Sequence, residues 1–542
     1  ESGRREAAED RLRQALAADN TLPLAKVALA RILCDREKGD KFPEAANLLR
    51  DVVKNDPRNL EAGLLMARAL IGGGQAQAAG AQLEGLAKGF PKDARVAYWQ
   101  GRREEALNGK DSAAAAEKFY RKALESDGKF LDAYIALARV LQAQGKSPDA
   151  LAALKQVANV ARTDADVAAA LCSAYVGTKD WAQAVSTCTL ALSLRPKLYR
   201  SRVDLASALE GQGKIEAAVD ALEILHKEAR EYPGLAERLG RLSLRLERYP
   251  DAERNFLEAA GQSGATMGLR LATIRLCLDT RPKDAQALID RVLRDDPRSA
   301  LARTYQAYLM SKELARDQAR PLETNIMLDQ ASKVAELPET HLVRAKVFLF
   351  QQKRNEAMAE LLAARKGVVE ARALIQHAKL AAQEGSAGDA LSESSDLLNR
   401  QKTLLADPIE YRPSDRMQII GQAAELQGDL LLRQDRIPEA IRAYEQAAAK
   451  NPVDGALAFR LAKALQSVGK KAPAAAQAQR ALKLGGDKAP YAADVFLMLG
   501  DMSRERHNRA EALRQYRRYL EVAAPNAAER QDVERFVDRG GR

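Results

Sequence analysis

A segment of about 35 residues recurs along almost the whole chain, and this repeat limits the possible folds more than any other feature. Near the N-terminus it shows as a small residue followed by arginine, in Ala30-Arg31, Ala67-Arg68, Gly101-Arg102 and Ala138-Arg139. These pairs are 37, 34 and 37 residues apart, which is close to the period of helical-repeat proteins. Such repeats bury their apolar residues only by stacking on one another. The sequence therefore predicts a stack of helical repeats.

Each repeat follows one template of small and bulky positions. A first helix carries a small residue between large ones, and a turn follows, often with glycine. A second helix carries alanine, a bulky residue four positions later and an apolar residue three further, and proline commonly ends the unit. One repeat fills these positions with Leu137, Ala138, Leu141, Gly145, Ala150, Leu154 and Val157. The small residues let the two helices approach closely, and the bulky residues fill the seam between them.

This template resembles that of the tetratricopeptide-repeat (TPR) family, and the resemblance covers nearly the whole chain. It implies an all-α fold, a right-handed superhelical α-solenoid of about fourteen helical hairpins, of the kind found in bacterial multi-repeat scaffolds. The resemblance also implies that the first helices line a concave groove, which in this family usually binds a peptide or a protein surface.

The fit to the template varies along the chain and predicts four parts. Residues 1–297 form an N-terminal array that starts in mid-repeat, because residues 1–20 match only a second helix. Residues 298–420 form an irregular helical segment with a proline-rich break, "ADPIEYRPSD", where we expect a bend. Residues 421–525 are C-terminal repeats, and residues 526–542 are a capping helix and tail. Because the chain begins with Glu1, we expect a fragment without its native N-terminus.

The sequence predicts no enzyme, cofactor or metal site. Its four cysteines, Cys34, Cys172, Cys188 and Cys277, form no CxxC motif and accompany no histidine cluster. We therefore expect small buried side chains rather than a zinc site or a disulfide framework. No known catalytic arrangement is present. No apolar run approaches the roughly 18 residues that span a bilayer, and the compartment, cytoplasmic or periplasmic, stays open.

The recurring arginines are the candidate binding residues. An arginine directly after the small position lies about 100° around the helix from it, toward the concave surface that the family resemblance implies. The predicted partner-binding residues are Arg31, Arg68, Tyr98, Arg102, Arg139 and Arg241. Arginines among apolar residues suit an acidic, partly hydrophobic segment. The alternative interpretation is that each arginine pairs with an acid of its own or the next repeat.

Charge and composition narrow the partner class. The formal net charge is +11, which favours acidic partners or polyanions. Aromatic residues make up only 5% of the chain, whereas proteins that bind single-stranded nucleic acid usually stack bases on aromatic rings. We predict a non-enzymatic scaffold or adaptor that holds an acidic protein segment in the groove. The alternative is a polyanion-binding TPR region of an envelope polysaccharide-export or secretion apparatus, with an anionic polysaccharide as ligand.

Overall fold

The computed structural model describes residues 2–35, 41–314 and 320–540, which divide into two compact units at Leu235 and Ala236. In the described ranges, unit 1 contains α1 (Ser2–Ala18), α2 (Pro23–Asp35), α3 (Lys41–Asn55), α4 (Leu60–Gly72), α5 (Ala79–Gly89), α6 (Ala94–Leu107), α7 (Ser112–Ser126), α8 (Leu131–Ala143), α9 (Ser147–Lys155), a 3-10 helix (Ala158–Arg162), α10 (Ala165–Gly177), α11 (Trp181–Leu194), α12 (Tyr199–Gly211) and α13 (Ile215–Glu228).

Unit 2 begins with the helix that contains the division point. Its described helices are α14 (Leu235–Arg245), α15 (Tyr249–Gly261), α16 (Met267–Cys277), α17 (Pro282–Asp295), α18 (Ala300–Ser311), α19 (Arg320–Ser332), α20 (Pro338–Phe350), α21 (Arg354–Ala363), a 3-10 helix (Gly367–Val369), α22 (Glu370–Gln383), α23 (Ala387–Leu404), α24 (Pro413–Arg433), α25 (Ile437–Lys450), α26 (Gly455–Ser467), α27 (Lys471–Gly485), α28 (Ala492–Glu505), α29 (Arg509–Val522) and α30 (Arg530–Asp538).

The helices pair into hairpins, from α2 with α3 to α28 with α29, and the described part of the chain contains fourteen of them. Helix α1 precedes the first hairpin, and α30 packs on the last one. Neighbouring first helices touch each other in both units, for example α4 with α6 and α18 with α20. The predicted all-α solenoid of about fourteen hairpins is confirmed. The four-part division of the chain stays a prediction.

In most of the described hairpins the turn contains one residue in the left-handed backbone conformation. Gly145 and Gly213 occupy this position with φ of 76°, a conformation that glycine adopts more readily than residues with a side chain. Other hairpins place Lys179 or Asp435 there, with φ of 60° and 61°. The template's turn glycine therefore reflects this backbone conformation.

In several of the described hairpins the seam brings a small residue of the first helix against a bulky residue of the second. A Cβ added at Gly428 would lie 2.7 Å from the Tyr444 ring, and one at Gly500 would lie 2.5 Å from the Tyr516 ring. The Tyr444 hydroxyl donates a 2.6 Å hydrogen bond to the Asp429 carboxylate, beside the glycine. Only a residue without a Cβ lets the tyrosine ring approach the first helix this closely.

The cysteine prediction is wrong for one pair. Cys172 on α10 and Cys188 on α11 form a disulfide bond, with a Cα–Cα distance of 4.8 Å. They are 16 residues apart and occupy the two seam positions that Gly428 and Tyr444 occupy in another hairpin. The seam brings these positions within bonding distance, although no CxxC motif indicates it. Cys34 and Cys277 are buried and free, as expected.

Candidate partner-binding groove

The first helices α4, α6 and α8 line a groove of about 860 Å³ in unit 1. We call it the N-terminal groove. Its aromatic lining residues are Phe42, Tyr98, Trp99 and Phe130. Its charged lining residues are Arg68, Arg95, Arg102, Glu105, Asp132 and Arg139. Among the described lining residues, four guanidinium groups thus face two carboxylates, so the groove carries a net positive charge.

The structure brings four of the six predicted site residues together here, namely Arg68, Tyr98, Arg102 and Arg139. Arg31 lies on α2, where its guanidinium bonds the Glu61 carboxylate at 2.6 Å. Arg241 belongs to unit 2, where it pairs with Glu237 and lines a different pocket, of about 400 Å³. Three of the five predicted arginines, Arg68, Arg102 and Arg139, therefore line the same groove.

Three arginines of the row are held by carboxylates from neighbouring first helices. Arg31 on α2 bonds Glu61 on α4, and Arg68 on α4 bonds Asp35 on α2 at 2.7 Å. Arg139 on α8 bonds both carboxylate oxygens of Glu105 on α6, at 3.1 and 2.7 Å. These ion pairs join adjacent repeats. As in the alternative interpretation, these arginines pair with acids of the protein itself, but Arg68 and Arg139 pair with the preceding repeat rather than with their own or the next one.

Arg102 has a different environment. Its guanidinium carbon lies 5.9 Å from the centre of the Tyr98 ring and 5.8 Å from the Trp99 ring. It donates to the Tyr98 hydroxyl at 3.1 Å, and its nearest carboxylate, Glu105, is 3.6 Å away. That carboxylate already accepts both bonds from Arg139 and one from the Tyr120 hydroxyl. Arg102 is therefore held by aromatic faces and its charge is only partly compensated.

An aromatic cluster fixes this arginine from below. The Tyr98 ring centre lies 5.4 Å from that of Trp99 and 5.2 Å from that of Phe130. Tyr98 is only 9% exposed, so its role is to position Arg102 rather than to offer a free surface. Trp99 and Phe130 lie outside the template and were missed by the sequence analysis. The adjacent pair Tyr98-Trp99 is the feature of the sequence that could have revealed this aromatic cluster, because the chain contains only two tryptophans.

The remaining charges at the groove are shaped by their neighbours. Arg95 donates two bonds to the Asp93 carboxylate, at 3.1 and 2.8 Å, and this contact holds the pKa of Asp93 below its usual range. Burial raises the pKa of Asp132, and repulsion from Asp166 and Asp164 adds to the effect. A raised pKa means that the ionised form of Asp132 is less stable in the groove than in water.

Sequence profiles of the tetratricopeptide repeat match residues 37–103 and 109–173, and a second profile of the same repeat matches residues 203–265 and 425–493. The chain is a tetratricopeptide-repeat protein. The first two matches contain the four predicted residues of the N-terminal groove. TPR families are generally non-catalytic, and the matches identify this TPR chain as a protein-interaction scaffold.

Several solved structures are similar to this TPR protein. PilF of Pseudomonas aeruginosa aligns with 44% of this chain and 98% of its own, with 15% identity and a TM-score of 0.35. The TPR protein TTC0263 of Thermus thermophilus aligns with 35% and 99%, with 20% identity and a TM-score of 0.31. Yeast Tom70 aligns with 83% and 96%, with 15% identity and a TM-score of 0.27. No curated protein sequence matches the chain.

The described residues contain neither a metal-ion cluster nor a membrane-spanning helix. No group of three or more histidine, cysteine, aspartate or glutamate side chains there is arranged to hold a metal ion. None of the helices in the described ranges combines the length and the apolar character needed to cross a membrane.

Proposed function

We propose that the N-terminal groove of this scaffold binds an acidic, partly apolar segment of a partner protein, with Arg102 as its anchor. The observation that carries the proposal is the state of the Arg102 guanidinium. It lies over two aromatic rings, and its nearest carboxylate is committed to Arg139 and Tyr120. A carboxylate from a partner would therefore give Arg102 a strong ionic partner at little cost to the rest of the groove.

The surroundings of Arg102 favour a mixed acidic and apolar ligand. Its planar guanidinium offers a fork of donors that matches a carboxylate. Ile71 and Phe130 line the same groove, and the area that they bury would keep water away from the ion pair. An exposed ion pair contributes only about 0.2–1 kcal/mol. A hydrogen bond to a charged group, shielded from water, contributes about 1.5–3 kcal/mol.

The proposal predicts the effect of a single substitution. In Arg102→Gln we expect a short labelled peptide of alternating glutamate and leucine or phenylalanine residues to bind about 10- to 100-fold more weakly, which corresponds to the loss of about 1.5–3 kcal/mol. Fluorescence anisotropy at low salt measures this affinity. Arg102 is a better target than Arg139, because Arg139→Gln would also release Glu105 from its two bonds.

A matched control is available on α7 of the same repeat. Arg121 is half-exposed and pairs with Glu117 within its own helix at 2.8 Å, outside the N-terminal groove. Arg121→Gln removes the same charge from the protein and should leave the peptide affinity unchanged. Equal affinity for wild type and Arg102→Gln, with both proteins folded, would show that the binding surface lies elsewhere.

Salt distinguishes the acidic protein segment from a polyanion. Polyanion binding weakens steeply with salt because it rests on many ionic contacts, whereas a peptide that also buries apolar area should show a shallower slope. The glutamine counterpart of the peptide should bind weakly. Strong binding of an anionic polysaccharide, with a steep salt slope and no measurable binding of the acidic peptide, would favour the polyanion alternative.

A further inference from the structure

In unit 2, the segment between α23 and α24 makes contacts that the repeat pattern does not predict. We call residues 405–412 the strap. Repeats in a solenoid normally touch only their sequence neighbours. The strap instead reaches back by more than 130 residues, where Asp407 accepts a 2.8 Å bond from Arg275 and the Pro408 carbonyl accepts a 3.2 Å bond from the Tyr249 hydroxyl. The predicted bend "ADPIEYRPSD" is thus a segment packed against α15, α16 and α22.

The strap is a compact turn that presents its side chains to these helices. The Asp407 carboxylate accepts bonds from the backbone amides of Ile409 and Glu410, at 2.8 and 3.3 Å. The Tyr411 amide donates to the Asp407 carbonyl oxygen at 2.9 Å. This turn places Asp407, Ile409 and Glu410 against the first helices of unit 2.

Two arginines from different repeats hold the acidic side chains of the strap. Arg275 on α16 bonds Asp407 at 2.8 Å and lies 4.0 Å from Glu410. The Nε of Arg372 on α22 lies 2.9 Å from the Glu410 carboxylate. The Arg275 side chain is only 16% exposed, so its ion pairs are shielded from water. The strap therefore bridges first helices three repeats apart through its carboxylates.

The apolar contact of the strap is incomplete. Ile409 packs against the cluster that contains Tyr249, Phe256 and Leu276. Beside it a cavity of about 80 Å³ is left, lined by Tyr305, Val343 and Ile409 itself. A cavity of this size exceeds the volume that one water molecule needs. The groove can therefore accept a larger apolar side chain than isoleucine.

We propose that the surface beneath the strap is a second binding groove, which accepts a partner segment carrying a large apolar residue close to two carboxylates, and that residues 407–410 occupy it as an internal ligand. The ligand chemistry is that of the strap itself, with Arg275 and Arg372 as the carboxylate-binding residues. The groove goes beyond the site proposed in unit 1, because it uses other residues and is closed until residues 407–410 move aside.

Residues 407–410 can be exchanged without removing the anchors of the strap. The Tyr411 side chain is fully buried in the core formed with α22 to α25. Arg412 precedes α24 and pairs with Glu253, and its guanidinium also bonds the Leu276 carbonyl oxygen at 3.2 Å. These two residues attach the strap to the unit, whereas Asp407, Ile409 and Glu410 fill the groove.

The test replaces residues 407–410 of the full chain by Gly-Ser-Gly-Ser. The probes are labelled peptides with the strap sequence, Ala-Asp-Pro-Ile-Glu-Tyr, and with phenylalanine in place of isoleucine. Because burial raises the pKa of Glu410 to about 7, binding is measured well above that pH. We expect the variant to bind the strap peptide at least tenfold more tightly than wild type does, and the phenylalanine peptide more tightly still. Adding Arg275→Gln should remove this gain in affinity, and the gain should persist when Arg102→Gln is introduced into both the variant and the wild type.

A second variant keeps the test decisive if the first one does not fold. Asp407→Asn with Glu410→Gln preserves the shape of the strap and removes its two charges, which weakens its hold on Arg275 and Arg372. We expect this variant to gain affinity for both peptides relative to wild type. A folded variant of either kind that binds neither peptide more tightly than wild type does would overturn the proposal and make the strap a purely structural clasp.

Discussion

Gly428→Val should lower the free energy of unfolding of unit 2 by about 1–3 kcal/mol, the usual cost of extra carbon atoms in a packed core. A Cβ at this position would lie 2.7 Å from the Tyr444 ring, and that ring is held by its hydrogen bond to Asp429. Valine has a higher helix propensity than glycine, so a loss of stability would report the collision itself. Chemical denaturation followed by circular dichroism measures the effect.

Gly421→Ala provides the matched control in the same helix, seven residues earlier. The nearest side-chain atom to an added Cβ there is the Cβ of Asn451, at 3.7 Å, which is ordinary contact. Alanine in a helix interior is favoured over glycine by about 0.5–1 kcal/mol. We expect this variant to be more stable than wild type, so the two substitutions should have opposite signs. A loss of stability in both would contradict the assigned seam.

Reduction of the Cys172–Cys188 disulfide should destabilise unit 1 by about 3 kcal/mol, because a cross-link that closes a loop of this length restricts the unfolded chain by about that amount. Denaturation curves with and without a reductant measure the effect. The double variant Cys172→Ala and Cys188→Ala should lose stability in the same way and no longer respond to the reductant.

The two free cysteines supply the control for the disulfide. Replacing Cys34 and Cys277 by alanine leaves the cross-link in place, so the stability of unit 1 in this variant should still fall on reduction. Burial raises the pKa of Cys34 to about 11, which keeps its thiol unreactive in the folded protein. Alkylation of all four cysteines in unfolded, unreduced protein would contradict the disulfide.

The repeat template predicted those features that depend on spacing within one hairpin and its neighbour. The interval of 16 residues between Gly428 and Tyr444 recurs between Gly500 and Tyr516 and between Cys172 and Cys188, and it marks the seam positions of these hairpins. Arg68, Arg102 and Arg139 were predicted to lie together because they share one position on successive first helices, and they do line one groove.

The same logic could not predict features that lie outside the template. Phe42 and Phe130 reach the N-terminal groove from the ends of helices, where the repeat leaves the residue type open. The contact of Arg275 with Asp407 spans 132 residues, whereas the template relates only neighbours. The sequence analysis missed the disulfide because it compared the spacing of the cysteines only with metal-binding and redox motifs. The two cysteines are instead separated by the 16 residues that separate the two seam positions of a hairpin.

The ion pairs between first helices have a consequence for any binding measurement in the N-terminal groove. The ion pairs of Arg68 with Asp35 and of Arg139 with Glu105 join neighbouring repeats, and dissolved salt weakens exposed ion pairs of this kind. Rising ionic strength therefore weakens the contacts that hold the groove together, and it also screens the charges of the ligand. The salt slope of a partner's affinity will count contacts inside the protein together with those at the interface, so only the difference between wild type and Arg102→Gln isolates the contribution of the anchor.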